Sequence, residues 1–350
     1  VASDLSWERS IHKNLGVDMS FLNNRLAFSA DFYIRDTKDM LTAGIALPAT
    51  YGADSPKMNS ADLRTKGYEL SLNWRDEFQL LRRPFSYSVT LTFNDYVSNI
   101  TKFDNPDRSF AKKYYEGMRW GEIWGYRIDG LFASDEEARN YPVDQTTVNE
   151  IINASAGAEK GLRAGDLKFR DVTGDGKITE ADRTMIGNPT PDFTYGYSVN
   201  LQYKNFDLGI DFQGVYGNEI FNTSFLSAYA QYNYHTKRLG RWNGEGTSNW
   251  EPILDSSRAT QMMNSSYFIE DGSYLRLKNI QLGYSFGDRI LKKIRLKALR
   301  VFMNIDNLAT WSHNTGYTPE IGGTALAFGI DTGDTYPMPT TITFGVNVSF

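Results

Sequence analysis

Asp171, Thr173, Asp175, Gly176, Lys177 and Asp182 come nearest, in residue type and spacing, to a ligand-binding constellation in this sequence. Oxygen-bearing side chains at the first, third and fifth places, glycine at the sixth, a backbone carbonyl at the seventh and a carboxylate at the twelfth follow the layout of calcium loops. Glycine permits the sharp turn that wraps oxygens around a hard cation. Threonine at the third place and aspartate at the last depart from helix-flanked EF-hands and come closer to dockerin-type loops. With Asp171, Thr173, Asp175, Lys177 and Asp182 as ligands, Ca²⁺ is favoured over Mg²⁺ because the loop offers many protein oxygens. The same residues also build a metal-free Asp/Gly turn in which side chains accept backbone hydrogen bonds. In both readings the loop is stiffened and no reaction is attached to it.

A second set of candidates is aromatic. Tyr229, Tyr232, Tyr234, Trp242, Trp250, Trp311 and Tyr317 fall in long polar segments, where rings can stack on the apolar faces of sugars or pack loop against loop or against a lid protein. Other chemistry finds little support. The three histidines, His12, His235 and His313, lie far apart and form neither a metal nor a triad pattern. Glycine-rich phosphate motifs are absent. A net charge of −5 with no basic stripe argues against a nucleic-acid partner, and zero cysteines exclude a disulfide framework. No catalytic residue, and no organic cofactor, is expected.

The elements that position these loops are strands. From Phe193, the residues Phe193, Tyr195, Tyr197, Val199, Leu201 and Tyr203 alternate with Thr194, Gly196, Ser198, Asn200 and Gln202. After Lys204 and Asn205 the pattern resumes with Phe206, Leu208, Ile210 and Phe212 against Asp207, Gly209, Asp211 and Gln213. Successive strand residues point to opposite faces, so this is a hairpin with one apolar and one polar face. Each arm is roughly ten residues, the length of a tilted strand crossing a bilayer, whereas strands of soluble sandwiches usually run about five or six. The 21 Tyr, 21 Phe and 7 Trp suit the interfacial girdles of a membrane barrel.

The same alternation predicts nine strands: 14–21, 26–34, 68–74, 85–93, 193–203, 206–212, 274–286 with a bulge near 278–279, 299–306 and 342–350. A short helix is expected within 288–297. Short connections at 22–25, 75–84, 204–205 and 287–297 alternate with long ones at 41–60, 95–191, 218–272 and 310–338. Barrels of the outer membrane put short turns in the periplasm and long loops outside. The reading is therefore an all-β, antiparallel transmembrane barrel with long extracellular loops, in which 120–134 does not cross the membrane. An odd strand count leaves open edges that lipid cannot satisfy, so the chain is expected to be part of a larger barrel. The alternative is a secreted β-rich glycan-binding protein with a dockerin-like loop.

The segment 165–218, reading GDLKFRDVTGDGKITEADRTMIGNPTPDFTYGYSVNLQYKNFDLGIDFQGVYGN, closely resembles the SusC/RagA family of TonB-dependent outer-membrane transporters of Bacteroidota. LNNRLAFSADFY from Leu22, KGYELSLNW from Lys66, WGYRIDGLFAS from Trp124, SYLRLKNIQLGYSF from Ser273, LRVFMNIDNL from Leu299 and PTTITFGVNVSF at the end extend the resemblance over nearly the whole chain. The terminal Phe350 looks like the C-terminal aromatic signal read by barrel-assembly machinery. What the resemblance implies is the C-terminal portion of a 22-stranded barrel whose plug and TonB box belong to sequence outside this chain. It also implies energy supply through TonB, a SusD-like surface lipoprotein as lid, and import of oligosaccharides or, alternatively, peptides.

Overall fold

A computed structural model describes residues 5–43, 52, 57–108, 114–145, 162–224, 236–254, 264–322 and 328–350. Alternating residues give the first hairpin, β1 (Arg9–Phe21) and β2 (Leu26–Ala43), and then the long pair β3 (Lys57–Leu80) and β4 (Arg83–Lys102). Short elements follow: β5 (Ile123–Gly125), β6 (Ile128–Leu131), helix α1 (Asp135–Arg139), β7 (Leu167–Phe169) and β8 (Thr184–Gly187). The central hairpin is β9 (Phe193–Tyr203) and β10 (Phe206–Tyr216), followed by β11 (Glu219–Asn222) and β12 (Ile269–Asp271). The chain then forms β13 (Tyr274–Ser285), helix α2 (Asp288–Ile294), β14 (Ala298–Ser312), β15 (Ile330–Asp331) and β16 (Thr341–Ser349).

Nine strands make one antiparallel sheet in the order β1-β2-β3-β4-β9-β10-β13-β14-β16. These are the nine that alternation predicts, and residues 120–134 stand outside the ladder. The phase change in β13 is a bulge: the register with β14 skips between Leu277 and Asn279, and β10 shifts between Asp211 and Phe212. Helix α2 occupies the expected turn. Element ends differ from the sequence reading in two ways. The 75–84 connection shrinks to Leu81 and Arg82, both at positive φ (50° and 61°), which is the backbone twist a two-residue hairpin demands. Neither is a usual residue for that conformation, so composition does not reveal the turn. Strands also overrun their predicted ends: β2 reaches Ala43, β3 starts at Lys57, β4 continues to Lys102 and β14 to Ser312.

Register turns alternation into continuous rows. Met19, Phe28, Leu72, Leu91, Tyr197 and Phe212 are successive cross-strand partners, as are Trp74, Val89, Val199, Ile210, Ile280, Ile305 and Ile342. This apolar face is exposed: Leu15, Phe32, Leu72, Leu91, Leu282, Ile342, Phe344 and Val346 all lie uncovered by protein. Two aromatic rows bracket it. Toward the long loops run Phe32, Tyr68, Phe93, Phe193 and Tyr216, with ring centroids 6.3, 6.0, 4.8 and 5.1 Å apart in turn. Toward the short turns, Phe85 packs 5.1 Å from Phe78 and 6.2 Å from Tyr203, and Phe206 packs 4.8 Å from Tyr284. On β4 the rows are separated by the stretch from Phe85 to Phe93, about 27 Å along the strand and roughly 20 Å after a barrel-like tilt. Gly214 cannot carry a side chain, because the Tyr195 ring of the neighbouring strand lies where its Cβ would be.

The buried core lies elsewhere. Tyr126, Ile128, Leu131, Leu167, Phe169, Ile178, Ile186, Phe221, Tyr267 and Phe268 form one cluster, all from the long connections. Pairs β5-β8 and β6-β7 and the three-stranded β12-β11-β15 sheet frame it. The long loops thus fold together as a cap with its own interior, seated at one end of the wall.

Candidate functional site

The polar face of the wall is a network of short side chains aligned by the same register. Ser29 donates to Asp18 (2.6 Å), Asn14 to Asp31 (3.1 Å), Asn73 to Thr90 (2.7 Å) and Ser198 to Asp211 (2.5 Å). Arg300 donates to both oxygens of Asp207 (3.1 and 2.5 Å), and Asn279 donates to Asn304 and Asp306 (2.7 Å each). Hydroxyls and amides outnumber charges, and Asp18, Asp31, Asp207, Asp211 and Asp306 are engaged with neighbours on the wall. Such a surface hydrates a passage and offers hydrogen bonds without a nucleophile and base poised for reaction.

Where the wall meets the cap, Arg276 projects from β13 and is fully buried. It pairs with Glu320 (2.7 Å) and donates to Thr310 (2.9 Å), while the Tyr274 hydroxyl donates to the same Glu320 oxygen (3.0 Å). Burial opposes the charge on Glu320, but the bonds from Arg276 and Tyr274 hold its carboxyl below the usual range. Inside the cap, buried Arg238 pairs with Glu251 and also donates to the Tyr267 hydroxyl (2.7 Å), which donates to Glu251 (2.9 Å). Sequence reading missed both clusters. The one available signal was Arg276, a cation on the polar parity of a strand immediately beside a long loop.

The calcium-like segment sits on the cap as a turn pinned by carboxylates. Asp182 Oδ1 accepts from the N–H groups of Val172 (3.0 Å) and Thr173 (3.1 Å) and from the Thr173 hydroxyl (3.0 Å); Oδ2 accepts from the Thr179 N–H (2.7 Å). Asp171 accepts from the N–H groups of Gly174 (2.6 Å) and Gly176 (2.8 Å), and Asp175 from that of Lys177 (2.9 Å). Gly174 and Gly176 supply the left-handed conformations, φ 73° and 80°. Ile178 points from the turn into the cap core. Among the described residues no three His, Cys, Asp or Glu side chains gather where a metal ion would sit. Burial works against a charged Asp182, yet the bonds from Thr179, Thr173 and Val172 outweigh it and keep the carboxyl below its ordinary range. Because the folded value is depressed, the stability Asp182 contributes is present above about pH 4, the unfolded value, and is lost as pH falls through the lower folded value. Asp182→Asn, which loses the charge and half the acceptors, is expected to destabilise this turn by about 2–4 kcal/mol. Amide hydrogen exchange at 171–182 would measure it at neutral pH.

The aromatic candidates separate. Trp242 is half-buried and packs against the cap core. Trp250, 45% exposed with its ring 6.2 Å from Tyr267, and Tyr317, 70% exposed, present faces to solvent. Trp311 is the cross-strand partner of Leu275, whose other partner is Gly214; this places it on the apolar face of the wall, away from the polar one. Tyr229, Tyr232 and Tyr234 lie outside the described residues.

A sheet with long paired strands, an apolar face banded by two aromatic rows and a hydrated opposite face is a wall of an outer-membrane β-barrel. No helix of the described residues is long and apolar enough to cross a membrane. Comparison with known proteins narrows the class. The family model described as TonB dependent receptor-like, beta-barrel, matches residues 2–158. TonB-dependent receptor P3 of Formosa agariphila is 31% identical over 99% of the chain and 34% of its own length. TonB-dependent receptor SusC of Bacteroides thetaiotaomicron is 27% identical over 99% of the chain and 32% of its own. The solved RagAB peptide importer in its closed-closed state superposes with a TM-score of 0.74 at 22% identity, covering 99% of the chain and 36% of that chain. The chain is similar over nearly its whole length to TonB-dependent receptors, SusC among them, and spans about a third of the length of the curated relatives it matches. The secreted glycan-binding alternative falls with the outer-membrane barrel class: among the described residues no second sheet covers the apolar face, whose side chains lie exposed. The relatives are named as receptors and transporters, and none as an enzyme.

Proposed function

We propose that the whole protein imports oligosaccharides across the outer membrane, with the described wall forming part of the passage. In this reading TonB supplies the energy through a plug, and a SusD-like surface lipoprotein covers the cap, which faces outside. The observation that carries it is the polar wall: Ser29, Ser71, Thr92, Asn94, Asn200, Gln202, Gln281 and Asn304 present alternating donors and acceptors in register, a surface suited to hydroxyl-rich, uncharged cargo. Exposed Trp250 and Tyr317 at the cap add ring faces that stack on sugars. A deletion strain grown on a panel of glycans and peptides tests the proposal. Loss of growth on a glycan, restored by the full-length gene, is the expected result. Loss confined to peptides would transfer the assignment to peptide import, the activity named for the RagAB structure.

A further inference from the structure

The apolar face changes character just beyond the aromatic row on the long-loop side. Lys13, Ile34, Lys66 and Val97 are successive cross-strand partners on β1 to β4, one row beyond Leu15, Phe32 and Tyr68. Two strand spacings separate the lysine backbones, about 10 Å. Both lysines are exposed. The charges in the next positions outward are matched: Arg64 with Asp36 at 2.6 Å, Lys38 with Asp62 at 2.8 Å and Arg9 with Asp39 at 2.8 Å. Among the described residues Lys13 and Lys66 make no ion pair within that set, and Lys13 meets Asp36 only through the longer-range field. The nearby acid Asp95 takes a backbone hydrogen bond from Tyr96 and has Arg119 as its countercharge. Lys13, Leu15, Phe32, Lys66 and Tyr68 line one shallow groove together with Asp95, whose carboxylate lies in the Tyr68 row, one row inward of the two lysines.

The geometry points to a site for one lipid molecule here, with its phosphate between Lys13 and Lys66 and its acyl chain along Leu15, Phe32 and Tyr68. The groove puts positive charge at headgroup level and apolar contact directly below it. Two ammonium groups on flexible stems, spaced by Ile34, can converge on a phosphate from both sides. The aromatic row fixes the depth, since rings of this kind sit at the interface between hydrocarbon and headgroups. A lipid held there would seal the outside of the wall where paired strands leave the bilayer.

The test uses the full-length transporter reconstituted in a bilayer of equal phosphatidylglycerol and phosphatidylcholine, transferred to detergent, with retained lipid counted by native mass spectrometry. Wild type is expected to keep phosphatidylglycerol in preference to phosphatidylcholine. The double variant K13Q/K66Q is expected to hold it about tenfold more weakly, each single variant to fall between, and K177Q in the cap to match wild type. Equal retention by K13Q/K66Q and wild type, or no preference between the two lipids in wild type, would overturn the site. Displacement of the retained lipid by inorganic phosphate alone would show a free-anion site and overturn the lipid assignment. Glycan uptake is measured on the same variants and is expected to be unchanged, so the lipid site and the import reading fail separately.

Discussion

Leu72→Arg is expected to cost about 2–4 kcal/mol of wall stability and to deplete folded protein from the outer membrane, whereas Ser71→Arg is tolerated. Leu72 lies between Phe28 and Leu91 in the middle of the apolar face, and hydrocarbon is its solvent. A guanidinium there has no partner in reach and must be carried into lipid. Ser71, one residue earlier, lies between Ser29 and Thr92 on the opposite face, where water and hydroxyls can solvate the same group. The measurement is the fraction of unheated full-length protein that migrates as the folded species from an outer-membrane preparation. Equal loss from both substitutions would mean that the face assignment is wrong.

Glu251→Ala is the second large effect, expected to destabilise the cap by about 3–5 kcal/mol while leaving the wall folded. Arg238 is buried beside it, and after truncation the Tyr267 hydroxyl cannot supply the lost negative charge. Glu251 also carries backbone structure, since its carbonyl accepts the Trp242 N–H at 2.8 Å; that bond survives the substitution, which isolates the side-chain effect. Limited proteolysis of the full-length protein in detergent would show rapid cleavage within the cap and an intact barrel core. Removing both charges, as Arg238→Met with Glu251→Leu, is expected to recover most of the loss, because the single change takes the Glu251 counter-ion away from a buried guanidinium.

The wall was legible in the sequence and the cap was not, for one physical reason. A strand between lipid and water must alternate, so Phe193 to Phe212 or Ile342 to Phe350 reveal their pairing from residue order alone. Even the slip in β13 showed as a change of parity between Leu277 and Ile280. Where strands leave the membrane that constraint ends. Asp36, Arg64, Lys66 and Asp95 therefore take up apolar-face positions, and β2 to β4 continue unnoticed beyond their predicted ends. The cap is governed by contacts between residues far apart in the chain, such as Tyr126 with Phe169 or Phe221 with Phe268. The segment 171–182 shows the same limit. Its spacing announced a turn correctly, but whether its carboxylates turn toward a cation or toward backbone N–H groups depends on the three-dimensional path of the loop.

The separation of the buried cluster from the membrane ladder has a consequence for how the molecule comes apart. Denaturant in water acts on an interior made of side chains, and that interior is confined to the folded loops; the paired strands owe their cohesion to backbone bonds in a medium that cannot replace them. Urea should therefore melt the protein in two stages. The surface assembly would dissolve first and leave a naked cylinder segment embedded in its lipid.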